Sequence, residues 1–109
     1  MGLDCYWTKP GESKSTPLDF DPPLCFEGEH DRQQRREGWA HFRGNAAADL
    51  IEELTGVSLY GHIENHVVME MADILERDAF RRPMTDMVRD LARLFRAYGK
   101  AGYELRGSW

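Results

Sequence analysis

The most regular hydrophobic pattern in this chain runs from Pro83 to Tyr98, where apolar residues recur at steps of three and four. That period places them on one stripe of an α-helix, with the charged residues between them on the other side. Pro83 suits a first helical position, and Gly99 can end a helix in the left-handed conformation. The pattern therefore predicts a long helix with one buried face. The residues predicted for this face are Met84, Met87, Val88, Leu91, Leu94, Phe95 and Tyr98.

The same period predicts two shorter helices upstream. The first begins at Asn45, whose side chain can cap free backbone N–H groups, and ends at Gly56. The second begins at Asn65 for the same reason and ends near Arg77. The predicted buried stripes are Ala47, Leu50, Ile51 and Leu54 in the first helix, and Val67, Val68, Met71, Ala72 and Leu75 in the second.

Both ends of the sequence carry the pattern of β-strands. Leu3–Trp7 is short, aromatic and followed by a Pro-Gly turn signal, and Tyr103–Trp109 alternates apolar with polar positions. We expect these two strands to lie side by side, because each would otherwise be an isolated edge. Leu24–Phe26 is a third short strand candidate, whereas we interpret Val57–Tyr60 as an extended connector.

These elements predict an α+β fold in a single compact domain that spans residues 1–109. About three helices would pack on a small sheet that includes the N- and C-terminal strands. Residues 9–38 form a polar loop region that contains several Pro and Gly residues. Within it, Glu27–Gly38 is almost entirely polar, as in a loop or a solvent-facing turn of helix, and we expect it to add nothing to the core.

The net charge of −5 lies entirely in residues 1–54, since positive and negative side chains balance in residues 55–109. An acidic chain is not attracted to phosphate backbones as a whole, so we do not expect nucleic acid as a partner. No apolar run reaches the roughly 18 residues of a spanning helix, so we expect no membrane partner. The first residues lack the features of a secretory signal, and Cys5 and Cys25 are interpreted as reduced thiols, which predicts a cytoplasmic protein.

Asp4, His41 and Arg43 are polar residues next to aromatic residues that we expect to be buried. A carboxylate, an imidazole and a guanidinium that meet in one pocket can bind a small anion or transfer protons. The other interpretation is that the three groups pair with one another or cap backbone groups. We take them as candidate binding residues.

Basic and aromatic residues alternate around Trp39, a further candidate binding residue, in a combination that can hold phosphates and stack bases. Acidic residues lie within this patch and just before it. We therefore favour an exposed charged loop whose aromatic side chains turn into the core. The patch consists of Arg32, Arg35, Arg36, Trp39, His41, Phe42 and Arg43.

Arg89, Arg93 and Arg96 recur along the polar side of the predicted long helix. Asp86 and Asp90 are favourable neighbours for them, and cations near a helix C-terminus are stabilised by its dipole, as on a solvated face. The functional alternative is a docking surface for an acidic partner, for which these three arginines are the candidate binding residues.

His62 and His66 are spaced four residues apart, and Glu70 follows one helical turn later. Three such side chains on one helix face can bind a metal ion. The Glu of a zincin, however, directly follows the first His, and a cap at Asn65 would leave His62 outside the helix. We interpret both histidines as solvent-facing and predict no metal and no cofactor.

The chain carries four short motifs, at Phe42–Gly44, Asp49–Ile51, Thr55–Tyr60 and Gly107–Trp109. With these motifs it resembles a set of small bacterial proteins that begin with Met-Gly-Leu-Asp. These proteins carry Phe-Arg-Gly before a helix and Ser-Leu-Tyr after it, and they end in a Gly-Trp-Trp-like tail. The resemblance implies one compact domain and no particular mechanism. Ser108 stands where those proteins have Trp, and Asn45–Ala47 replaces a segment that contains Lys and Tyr.

The sequence contains no Gly-rich phosphate loop, no nucleophile elbow and no Cys–His motif, so it gives no support to an enzyme. Our first hypothesis is a small cytoplasmic protein-interaction module, an inhibitor or immunity-type protein that acts by occupying a partner's surface. The sequence leaves a homo-oligomer open. The second hypothesis is a small-ligand-binding or catalytic domain with a polar pocket around Asp4, His41 and Arg43.

Overall fold

An antiparallel β-sheet carries the first and last strands of the chain side by side. The computed structural model describes residues 3–11, 17–26, 28–44, 47–81 and 86–108, with the backbone alone at positions 30, 43, 80 and 81. Within these residues the sheet has four strands, and each neighbouring pair is antiparallel. The strands are β1 (Asp4–Thr8), β2 (His41–Arg43), β3 (Gly61–Ile63) and β4 (Glu104–Ser108), in the spatial order β2-β1-β4-β3.

Four helices accompany the sheet in the described part of the chain: α1 (Glu29–Arg36), α2 (Ala48–Thr55), α3 (Asn65–Arg81) and α4 (Asp86–Lys100). The inward side chains of β1 and the apolar stripe of α4 share one core. Trp7 lies at its centre, where its ring stacks on Tyr98 at 4.7 Å between centroids and meets the edge of Phe95 at 5.2 Å. The predicted α+β fold, with helices packed on a sheet that contains both terminal strands, is confirmed.

The long predicted helix is present as α4, and the described residues of its predicted stripe are buried, apart from the half-buried Met87. Pro83 and Met84 lie outside the described residues. Gly99, which we expected to end the helix, is still helical; α4 ends at Lys100, and Gly102 follows in the left-handed conformation with a φ of 90°. The N–H of Gly102 bonds to the carbonyl of Gly99, and that of Tyr103 to the carbonyl of Tyr98. These two bonds form a Schellman motif, which satisfies carbonyl groups at the helix C-terminus.

Asn65 does not cap its own helix as predicted. Its side-chain amide instead donates to the carbonyls of Gly99 and Tyr103, at 3.0 and 2.9 Å. The start of α3 is therefore hydrogen-bonded to the end of α4, and α3 continues past the predicted end to Arg81. In α2 the first helical residue is Ala48 and the cap is Ala47, whereas the predicted cap at Asn45 lies outside the described residues. α2 ends at Thr55, followed by Gly56 as predicted.

The predicted strand at Leu24–Phe26 is wrong. Leu24 is buried, but Cys25 and Phe26 form a turn, and the N–H of Cys25 donates to the Asp90 carboxylate at 2.7 Å. β2 and β3 are the strands that the sequence did not predict, and each is only three residues long. The helix α1 occupies the segment for which a loop or a turn of helix was expected.

Candidate functional site

The sheet has one buried side and one polar side, as the alternation along each strand requires. Cys5 and Trp7 of β1 point into the core, so Tyr6 and Thr8 point to the opposite side. The strand register places His41 and Arg106 directly opposite Tyr6, on its two sides, and His62 opposite Arg106. We call this polar side the open face and define it by Tyr6, Thr8, His62, Glu104 and Arg106.

Trp39 lies at the β2 edge of the open face and is 55% exposed. Its ring meets the Tyr6 ring edge-on at 6.4 Å between centroids, and Tyr6 in turn lies 4.9 Å from the His41 ring. The backbone N–H of Trp39 donates to the carbonyl of Gln34 in α1. We expected the aromatic residues of this patch to turn into the core, and Phe42 does so, but Trp39 does not.

His41 bridges two carboxylates that come from different elements. Its Nε2 lies 3.0 Å from an Asp4 oxygen in β1, and its Nδ1 lies 3.4 Å from an Asp31 oxygen in α1. The imidazole is 1% exposed, whereas the Asp31 and Asp4 side chains are 6% and 34% exposed. Asp4 and His41 are therefore in direct contact. The third group is Asp31, in a segment that the sequence predicts to add nothing to the core.

Burial lowers the pKa of His41, but hydrogen bonds to Asp31 and Asp4, together with their negative charges, raise it more. The net result is a pKa above the ordinary value of His41. Protonated imidazole has two N–H donors, one for each carboxylate, whereas the neutral ring has only one. The cluster thus favours a charged histidine between two acids.

Arg43, the third member of the predicted trio, lies opposite Asp4 in the β1–β2 register, and its side chain is outside the described part of the structure. In the Arg32–Arg43 patch, Arg36 pairs with Glu29 at 3.0 Å and Arg35 lies 3.9 Å from Asp19. Acidic residues therefore accompany both of these arginines.

Arg89, Arg93 and Arg96 line an open groove of about 700 Å³ between α4, α3 and the segment 17–26. The apolar part of the groove comes from Phe20 and from alanines, and three acidic side chains also line it. These are Asp19, Asp21 and Glu76. The positive charges of the three arginines in the lining are therefore matched by the negative charges of the three acidic residues.

All three arginines of the groove have acidic partners within this chain. Arg96 forms two bonds with Glu76 and a further short one with Asp73, both on α3. These contacts lower the pKa of Glu76, mainly through the hydrogen bond from Arg96. Arg89 lies 3.1 Å from Asp86, at the exposed end of the row. Docking of an acidic partner on these arginines stays a prediction, and such a partner would compete with acids already in place.

Arg93 is not the freely exposed residue that the helix pattern indicated. It donates to Asp90 at 2.8 Å and to the carbonyl of Pro22, and its guanidinium lies over the Phe20 ring. Asp90 itself is only 2% exposed, although its position in the sequence placed it on the solvent side of α4. Through these contacts, Arg93 and Asp90 hold the segment 17–26 against α4.

The two histidines of the possible metal motif lie on different elements. His62 is in β3, where its Nε2 lies 2.9 Å from a Glu104 oxygen, and His66 is in the first turn of α3, 3.4 Å from Glu64. Across the described ranges, we find no group of three His, Cys, Asp or Glu side chains arranged to hold a metal ion.

Comparison of the chain with protein-family models, with curated proteins and with solved structures finds no match. Within the ranges that the structure describes, no helix combines the length and the apolar character needed to cross a membrane.

Proposed function

We propose that this protein is a protein-interaction module that binds its partner through the open face of the sheet, with Trp39 as the anchor. The observation that carries the proposal is the exposure of Trp39, which leaves 55% of a large apolar residue in water. Tryptophan buries about 150–250 Å² when it is covered, so covering it on a partner is favourable.

The neighbours of Trp39 are of the kinds that dominate binding energy at protein interfaces. Trp, Tyr and Arg are enriched among interface hot spots. Tyr6 touches Trp39 directly, and Arg106 lies next to Tyr6 in the strand register. Within the described part of the chain, the exposed Arg106 guanidinium has no ion-pair partner. The three side chains therefore offer an aromatic and cationic surface that extends from the β2 edge across β1 to β4.

Trp39 is also fixed in place before a partner arrives. Its N–H bonds to Gln34 at the end of α1, and the next residue, Ala40, accepts the N–H of Trp7 in the central strand β1. A side chain held on a rigid element loses less conformational freedom on binding. This favours a preformed docking surface, as in an inhibitor or immunity-type protein that occupies its partner's surface.

We also propose that the protein is cytoplasmic. Cys5 and Cys25 are both free thiols, which is typical of proteins in a reducing compartment. Burial, with a smaller contribution from the Asp4 charge, raises the pKa of the Cys5 thiol to about 12, so this cysteine is unreactive.

The alternative function, a ligand or catalytic pocket around Asp4, His41 and Arg43, has less support from the geometry. The His41 ring is almost completely buried, and both of its nitrogens face carboxylates of this chain. A ligand would have to displace Asp4 or Asp31 to reach the imidazole. The protein-interaction function is therefore the one that we propose.

The test is affinity capture from native lysate, with bound proteins quantified by mass spectrometry. The wild-type protein should retain a stoichiometric partner, and Trp39→Ala and Arg106→Glu should each lower its recovery at least about tenfold, as expected when a hot-spot residue is lost. Tyr60→Ala is the matched control. Tyr60 is also an exposed aromatic residue, 41% accessible, but it lies beside β3 at the opposite edge of the sheet.

Equal recovery of the partner by wild-type protein and Trp39→Ala would refute this binding surface. A partner lost equally with Trp39→Ala and Tyr60→Ala would point to a surface elsewhere. Sedimentation of the purified protein separates a second copy of the chain from a different protein as the partner, because only self-association makes the molecular mass rise with concentration.

A further inference from the structure

We propose that His41 is a proton-controlled latch between α1 and the sheet, which holds α1 in place while the imidazole is charged and releases it when the imidazole becomes neutral. The proposal concerns the docking of α1 and does not depend on a binding partner. It rests on three observations: the composition of α1, the position of His41 between two acids, and the unequal burial of these acids.

α1 has no apolar side chain with which to pack on the protein. Its eight residues, Glu29–Arg36, are all charged residues, glutamines or histidine. An isolated helix of this length is not stable in water, so contacts with the rest of the molecule must hold it. Asp31 is the residue of α1 that is most deeply buried among those described, at 5% exposure, and it faces His41.

The charged groups around His41 come from both sides of the contact. Asp4 and Tyr6 face it from β1, and Asp31 faces it from α1. When the ring is protonated, each nitrogen donates to one carboxylate. When the ring is neutral, it has a single N–H, so one of the two carboxylates faces a ring nitrogen lone pair instead of a donor. The positive charge between Asp4 and Asp31 is also gone, so the two carboxylates repel each other.

Asp4 and Asp31 differ in their access to water when the imidazole loses its proton. Asp4 is 34% exposed and can be hydrated where it stands, whereas Asp31 is 6% exposed and must move to reach water. Asp4 also belongs to β1, which is paired with strands on both sides, while α1 packs mainly against the short strand β2. α1 is therefore the element that moves away.

The direction of the pH dependence follows from the raised pKa of His41. Burial opposes this rise, and the hydrogen bonds and charges of Asp31 and Asp4 produce it. A raised pKa in the docked state means that the stabilising contribution is complete below the ordinary histidine value of about 6.5. The contribution is lost as the pH rises through the docked-state value. α1 is therefore docked at acid to neutral pH and released on the alkaline side.

Release of α1 also changes Trp39. The Trp39 N–H is bonded to the carbonyl of Gln34 near the end of α1, so this bond is lost when α1 leaves. The ion pair of Arg35 with Asp19 gives little additional restraint, because its atoms are 3.9 Å apart and Asp19 is 98% exposed. The latch thus controls both a helix and the exposed aromatic residue that follows it.

Two measurements on the full chain test the latch: NMR titration of His41 and hydrogen exchange of the α1 amides at a series of pH values. In the wild-type protein, protection of the α1 amides should fall about tenfold per pH unit between the ordinary histidine pKa of about 6.5 and the docked-state pKa of His41, and level off above it. Protection of the Leu91 amide in α4 should not follow. Asp31→Asn should lower the His41 pKa. The two measurements are linked. If the pKa of His41 is one unit lower in Asp31→Asn than in the wild-type protein, the protection of the wild-type α1 amides should fall about tenfold in total, and each further unit should add another factor of about ten.

Asp31→Asn is suitable because asparagine can still accept the hydrogen bond from the Gly28 N–H that Asp31 accepts at 3.4 Å. Glu29→Gln is the matched control, since it removes a charge from the same helix where Glu29 pairs with Arg36 and not with His41. It should leave the His41 pKa unchanged. The wild-type series needs no variant, so a failure of Asp31→Asn to fold leaves the test decisive. Protection of α1 that stays constant from about pH 6.5 up to the pKa measured for His41, or a His41 that keeps its proton up to about pH 10, would overturn the latch.

Discussion

Asp90 shows how a residue far away in the sequence decides whether a charge is buried. It lies on α4, but the segment 17–26 covers it, and its two oxygens accept the N–H of Cys25 and a guanidinium N–H of Arg93. Burial raises the pKa of Asp90, but these hydrogen bonds and the charge of Arg93 outweigh burial and hold the pKa below its usual value. The carboxylate is thus stabilised in its charged form.

Replacement of Asp90 by Asn should lower the free energy of unfolding by about 1.5–3 kcal/mol at pH 7, the usual contribution of hydrogen bonds to a charged group. Asp86→Asn, an exposed change one turn earlier on α4, should cost less than about 0.5 kcal/mol. Urea titrations of the two variants and of the wild-type protein measure both values. A loss for Asp90→Asn no larger than that for Asp86→Asn would show that this contact does not stabilise the fold.

The same residue predicts a loss of stability in acid. Because the folded-state pKa of Asp90 is lowered, its contribution is complete above the ordinary Asp value of about 3.9 and is lost as the pH falls through the folded-state value. The difference in stability between the wild-type protein and Asp90→Asn should therefore shrink as the pH falls from about 5 to 2. A difference that stays constant over this range would contradict the pairing of a charged Asp90.

Among the elements, β4 packs closely against the segment that precedes β3, at Gly107 and Leu59. A Cβ atom added at Gly107 would lie 1.8 Å from the backbone carbonyl oxygen of Leu59 and 3.3 Å from the Leu3 side chain. A backbone atom cannot move aside as the end of a flexible side chain can. Glycine is therefore the residue that lets β4 and the 57–60 connector lie against each other.

Gly107→Ala should accordingly destabilise the protein by about 2–4 kcal/mol, at or above the usual cost of overpacking. Gly28→Ala adds the same methyl group where nothing lies within 4 Å, and it should change stability by less than about 1 kcal/mol, the scale of a helix-cap effect. Thermal melts of the two variants give the comparison. Similar melting temperatures would mean that the chain around Leu59 can shift without cost.

Elements with a long repeating pattern could be predicted from the sequence, and short ones could not. The stripe of α4 repeats over four turns, and β1 and β4 each alternate over five residues, so local pattern and tertiary structure agree. β2 and β3 have three residues each and are strands only because β1 and β4 supply their partners. Leu24 was recognised as apolar, but its neighbours form a turn that brings Cys25 to Asp90.

The candidate site was predictable to the same limited extent. Asp4 and His41 could be grouped because each lies beside aromatic residues that were expected in the core. Asp31 gave no such signal, since its neighbours in α1 are all polar and its burial arises from the packing of α1 on β2. The exposure of Trp39 was not predicted either, because a sequence shows how apolar a residue is and not whether another element covers it.

For the molecule as a whole, β4 pairs with both β1 and β3, and its Leu105, together with the preceding Tyr103 that packs on Tyr98, belongs to the core. Removal of residues 103–109 should therefore expose one edge of β1 and part of α4 to water. We expect the truncated chain to lose cooperative unfolding and to aggregate, as measured by calorimetry and light scattering. Arg106→Ala, an exposed change in the same strand, is the control and should melt as sharply as the wild-type protein. A truncated chain that stays monomeric and melts cooperatively would contradict a structural role for β4.

The pairing of β1 with β4 also sets the order in which the chain can fold during its synthesis. Asp4 and Ser108 are direct neighbours in the sheet, although more than a hundred residues separate them along the chain. β1 is translated before the other strands of the sheet, and one of its two partners, β4, follows about a hundred residues later. Until then Cys5 and Trp7, which the finished core encloses, lack the strand beside them. The sheet is completed only after residue 108 has emerged from the exit tunnel, so a nascent chain stalled before β4 should be a substrate for chaperones.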